Sequence, residues 1–153
     1  MQALQDSPVY APEFQQWVRE ALGHYWGGPR LSESPLLGMR LVRDLMREHQ
    51  VSPAHALRSV LTEAIERLRP AGEQKMTASE WLLYNIVEMK FIRGLRVQDM
   101  ARRLAMSESD LYRKQRIAIA EVSKALLSLE LDRTTPAAHE GETGETGARQ
   151  RMA

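Results

Sequence analysis

MTASEWLLYNIVEMKFIRGLRVQDMARRLAMSESDLYRKQRIAIAEVSKAL, residues 76–126, reads as three helices separated by two breaks. Thr77 and Glu80 have the spacing of a capping box, in which each side chain satisfies a free backbone donor at a helix start. The apolar run behind them predicts a helix through about Ile92, closed by Gly94, a residue suited to the left-handed conformation common just past a helix end. A short helix follows over 97–104, then a break at Ala105, Met106 and Ser107, then a long helix over 108–129. Val97, Met100, Ala101, Leu104, Met106 and Leu111 are apolar where two crossing helices must meet, and Ala101 is small enough to let them approach. Ser107 is placed to cap the long helix, with Asp110 three residues on as a shorter version of the capping-box acid. Helix, glycine, short helix, three-residue turn and second helix is the layout of a helix-turn-helix, whose second helix lies in the major groove of DNA.

Upstream, Phe14, Trp17, Val18, Ala21 and Leu22 share one helical face and predict a helix over 12–22, stopped by Gly27-Gly28-Pro29. Ser34-Pro35 and Ser52-Pro53 each set a capping serine before a proline at the first helical position. The first pair predicts a helix with Leu37, Leu41, Leu45 and Met46 on its apolar side. The second opens a helix carrying Ala54, Leu57, Val60, Leu61, Ala64, Ile65 and Leu68, which ends before Pro70. No segment alternates with period two for long enough to form a strand. The expected class is all-α, an N-terminal helical bundle packed on a C-terminal helix-turn-helix with a long final helix. Residues 1–75 form the helical interaction module, 76–131 the helix-turn-helix domain, and 132–153 a tail. The tail's TTPAAHEGETGETGARQRMA has almost no bulky apolar residue, which predicts disorder.

Composition narrows the chemistry. The 153 residues include no Cys, which excludes disulfides, thiolate zinc sites and thiol catalysis. No apolar stretch approaches the roughly 20 residues a membrane helix needs. The first residues lack the apolar core of a secretory signal, so a cytoplasmic location with no membrane partner is expected.

The segment over 80–107 resembles the DNA-binding helix-turn-helix of sigma-factor region four, with LuxR-type response-regulator domains close behind. Against the family pattern GLS-x-x-EIA-x-x-LGIS, this chain has Arg96 for the small cap residue, Asp99 for the acid and Ala105 for the turn glycine. Further upstream, HYWGGPRLSESPLLGMRLV and ALRSVLTEAIERLRP are similar to a helical module of bacterial regulatory proteins to which no activity is attached. That likeness covers about residues 20–126 and implies a regulatory context, with RNA polymerase or another regulatory protein as a partner beside double-stranded DNA.

Charge is distributed unevenly. The whole chain sums to +1, but between Lys90 and Arg116 eight basic residues face three acids, a local net of +5. Arg113, Lys114 and Arg116 project from the expected reading helix, and Arg102 and Arg103 are one helix away, where phosphates supply sequence-independent affinity. Ser109, Tyr112, Arg113 and Arg116 are the expected base readers, since arginine grips a guanine edge at two points. With Arg96 and Ser107 they complete the DNA-binding set. The alternative is that these arginines are a solvated helix face. Glu108 and Asp110 favour the helix N-terminus electrostatically but would sit close to phosphates.

Other constellations point to no enzyme. His24, His49, His55 and His139 include no helical ligand pair, so no metal or cofactor is expected. His24-Tyr25-Trp26 reads as an aromatic end to a core, each ring keeping one polar contact, more than as a ligand pocket. Gly27-Gly28-Pro29 lacks the lysine of a phosphate loop, and no nucleophile triad or carboxylate pair has recognisable flanks. Ile119, Val122, Leu126 and Leu129 form a short coiled-coil seam, equally compatible with a homodimer and with packing on the chain's own N-terminal helices. The expected function is a small cytoplasmic bacterial transcription regulator whose helix 108–129 reads the major groove. The alternative is a protein-interaction adaptor of a bacterial signalling assembly that keeps the helix-turn-helix shape without binding DNA.

Overall fold

The ten-residue helix α1, Phe14–Gly23, buries Phe14, Val18, Ala21 and Leu22, the face that the sequence spacing marks. It ends at Gly23, four residues before the expected stop, and the chain then turns through Gly27 and Gly28, whose φ values of 134° and 108° are open to glycine and costly to other residues. In this computed structural model, which describes residues 6–133, a one-turn helix α2 (Pro29–Ser32) follows.

The helix expected from Ser34 is divided. Ser34 does cap, accepting from the Leu36 backbone N–H at 3.1 Å, but it caps a 3-10 turn, Pro35–Gly38. Met39 then turns extended and fully buried, and α3 (Arg40–His49) starts afresh. The break has a packing reason. A side chain at Gly38 would stand 3.2 Å from the ring of Pro8, so the turn comes close to the 3-10 turn Pro8–Tyr10 near the start of the chain. At the second Ser-Pro pair the expectation holds: Ser52 accepts from the His55 N–H at 3.2 Å and opens α4, Pro53–Glu66.

The capping box at Thr77 and Glu80 does not form. The chain enters its next helix through a 3-10 turn, Ser79–Trp81, whose cap position, Ala78, supplies no side-chain bond. Burial of Trp81 against the core fixes this entry and moves the helix start past the box. α5, Leu82–Val87, continues into a π-helical turn, Glu88–Ile92, where the Arg93 N–H reaches back to the Glu88 carbonyl at 2.9 Å. Gly94 closes it with φ 69°, as expected. Then come α6, Val97–Leu104, and the 26-residue α7, Glu108–Arg133.

The protein is all-α among the described residues, and α7 is its spine, touching α1, α3, α4, α5 and α6. Leu22, Leu57 and Ile65 from the N-terminal half share one apolar core with Trp81, Ile86, Met100 and Leu111 from the C-terminal half. Each such fully buried side chain contributes roughly 1.5–3 kcal/mol. The loop over 70–78 divides the chain in sequence, and the core runs across it. The seam of Ile119, Val122, Leu126 and Leu129 is buried in this core, so the chain's own helices cover it. No helix among the described residues is long and apolar enough to cross a membrane. The tail from 134 onward, with its expected disorder and His139, lies outside the described residues.

Candidate nucleic-acid interface

The candidate site starts where Trp26 meets the π-helical turn that precedes α6. The indole N–H donates to the Ile92 carbonyl at 2.8 Å, satisfying an oxygen at the helix end. This differs from the expected pair of core aromatics. Tyr25 is buried, its hydroxyl 2.6 Å from Thr62 Oγ1, while Trp26 is 66% exposed. The Trp26 ring meets Tyr25 edge-on at 4.9 Å, and the Arg58 guanidinium stands 5.7 Å from its centroid. Trp26 thereby ties the N-terminal half to the segment that leads into α6.

Within the motif, Met100, Ala101, Leu104 and Leu111 are buried, and Ala101 allows α6 to lie close to α7. The turn runs through Ala105, which is left-handed at φ 57° and ψ 49°, the conformation the missing glycine would adopt without strain. Ser107 caps α7 by accepting from the Asp110 N–H at 3.1 Å. Asp110 does not act as a capping-box acid, because its carboxylate pairs with Arg113 one turn along.

Packing of this apolar side leaves the polar side outward. Arg96, Arg102, Arg103, Ser107, Ser109, Tyr112, Arg113 and Arg116 are exposed, with Tyr112 at 49%, and Lys114 is half-buried. Ser109, Tyr112, Arg113 and Arg116 lie on one side of α7, spaced three, one and three apart. Two of the cations have intrahelical partners, Arg102 with Asp99 and Arg113 with Asp110. Exposed pairs of this kind contribute less than about 1 kcal/mol, so these carboxylates hold the two guanidinium groups only weakly. Arg96, Arg103, Lys114 and Arg116 make no ion pair among the described residues.

Two features are invisible in the motif. Arg116 shares an open cleft with Gln15, Gln16 and Arg19 of α1. At the far end of α7, Glu130 is fully buried and accepts from the Ser7 hydroxyl at 2.7 Å and from the Arg40 and Leu41 N–H groups at 2.8 and 3.0 Å. It thus caps α3, whose own cap residue, Met39, has no side-chain acceptor to offer. His24, His49 and His55 are exposed and apart, and no group of three or more metal-ligating side chains occurs among the described residues. No family model, no curated protein and no solved structure matches this chain.

Proposed function

We propose that the chain is a DNA-binding transcription regulator that sets the first turns of α7 in the major groove of a duplex. The observation that supports this most is the division of residues 96–116: Met100, Ala101, Leu104 and Leu111 are buried in the core, Val97 and Met106 pack partly buried against it, and all but one of the candidate DNA contacts are exposed around the reading helix. Ser109, Tyr112 and Arg113 read base edges in this proposal, and Arg116, at the α1 end of that strip, meets the backbone. Arg96, Arg102, Arg103 and Lys114 meet phosphates, and Ser107 sets the helix start. The N-terminal helices receive a regulatory partner such as RNA polymerase, and a DNA partner implies a cytoplasmic location. Two copies reading two half-sites would have to meet through a face other than the seam, which the core occupies.

A second reading has its own observation. Glu108 and Asp110 bring two carboxylates to the leading end of α7, a feature that suits an adaptor docking a protein partner as well as a DNA reader. Gel-shift titration of the full chain on a random-sequence duplex at low salt separates the two. The regulator shifts the duplex, and replacing both Arg113 and Arg116 by Ala abolishes the shift. An intact protein that leaves the duplex unshifted at low salt is the adaptor.

A further inference from the structure

We infer that α1 belongs to the DNA-binding surface, with Arg19 and Arg116 together holding one backbone phosphate of the bound duplex; this rests on the helix-turn-helix reading above. Tyr112, Arg116 and Ile119 are spaced by four and three and so lie along one strip of α7. Tyr112 is open, Ile119 is 3% exposed, and Arg116 lies between them at the edge where the strip passes under α1. There Gln15, Gln16 and Arg19, one exposed face of α1, complete with Arg116 and Ile119 a cleft of about 260 Å³.

The cleft suits an oxyanion. Two arginines line it and no acidic residue does. Glu20, next to Arg19, is turned elsewhere: it accepts from the Gln16 amide at 3.3 Å and stands 3.9 Å from Arg30. Two arginines sharing a cleft repel one another until an anion lies between them, and a guanidinium offers phosphate a planar pair of donors. Geometry assigns that anion to the duplex. From Tyr112 to Arg116 is a rise of about 6 Å along a helix. A major groove is about 12 Å wide, so when Tyr112 lies near its middle, Arg116 and the cleft lie at the wall, where phosphates run.

The test is the salt dependence of affinity for a random-sequence duplex, measured by fluorescence anisotropy on the full chain and on Arg19→Ala, Arg19→Lys and Arg47→Ala. Arg47 is an exposed arginine on α3, paired with Asp44, and controls for loss of net charge. Each phosphate contact contributes about 0.9 to the slope of log K against log salt. Arg19→Ala is therefore expected to lower the slope by about one and to weaken binding roughly eight-fold at 0.1 M salt, with Arg19→Lys and Arg47→Ala close to the parent. A parent-like slope for Arg19→Ala, on a duplex that the parent binds, overturns the cleft and leaves the helix-turn-helix reading standing. A parent that binds no duplex overturns both. Inorganic phosphate at constant ionic strength is expected to leave duplex affinity unchanged. Inorganic phosphate that binds the parent and not Arg19→Ala, while the two bind duplex with the same slope, would give the cleft to free phosphate instead.

Discussion

Glu130 holds together parts of the chain that are far apart in sequence. A carboxylate taken fully from water survives when donors surround it, and this one has a hydroxyl and two backbone N–H groups at a helix N-terminus, whose dipole also favours negative charge. Glu130→Ala would leave those donors unpaired. It is expected to cost about 2–4 kcal/mol in urea unfolding, with Glu130→Gln milder because the amide oxygen still accepts. Nothing in the sequence announces this role: a glutamate near the end of an amphipathic helix reads as solvent-facing, and its partners are Ser7 and the Arg40 and Leu41 backbone. Tyr84 is a second case. Burial, and then the charges of Glu66 and Glu88, push its phenol above the ordinary value of 10.0, although Arg69 opposes them. A raised pKa means that the fold favours the neutral phenol. The stability it contributes is complete below pH 10 and is lost as pH climbs above that through the folded value. Denaturant unfolding should therefore show stability falling above pH 10, and falling less steeply in Tyr84→Phe.

At the scale of elements, the turn between α6 and α7 was legible and the entry to α5 was not. Left-handed turns and capping serines are local devices, so Gly94, Ser107 and the Ser52-Pro53 start could be read from neighbouring residues alone. The box at Thr77 and the Ser34 start misled because tertiary packing, of Trp81 in one case and of Gly38 on Pro8 in the other, outweighed a local bond. Ala105 occupies a left-handed position that costs a non-glycine residue roughly 1–2 kcal/mol. Ala105→Gly is expected to raise stability by about 0.5–1 kcal/mol, less than the full strain because glycine also gives the unfolded chain more freedom. An unchanged or lowered melting temperature would contradict that reading of the turn. At the leading end of α7, Glu108 is exposed and forms no ion pair among the described residues, so Glu108→Ala should tighten duplex binding by removing repulsion from phosphate. Unaltered affinity would argue against docking by this end.

For the molecule as a whole, α7 joins two tasks: its first turns carry the exposed polar set, and one face of the remainder, with Ala118, Val122 and Leu126, is buried against helices from both halves. The all-α class was legible because apolar spacing follows the helical period in every long segment. Arg19's place beside Arg116 was not, because the two are 97 positions apart and only the folded chain brings α1 and α7 together at one cleft. The near-neutral total of +1 likewise hides the concentration of positive charge over 90–116. The central claim, that this basic helix-turn-helix binds the DNA backbone, is tested most directly by the salt dependence of full-chain binding to a random-sequence duplex. Contacts from four or more of the exposed cations predict a slope of log K against log salt of about −4 or steeper. No binding at about 50 mM salt, or a slope closer to zero than about −1, would contradict it.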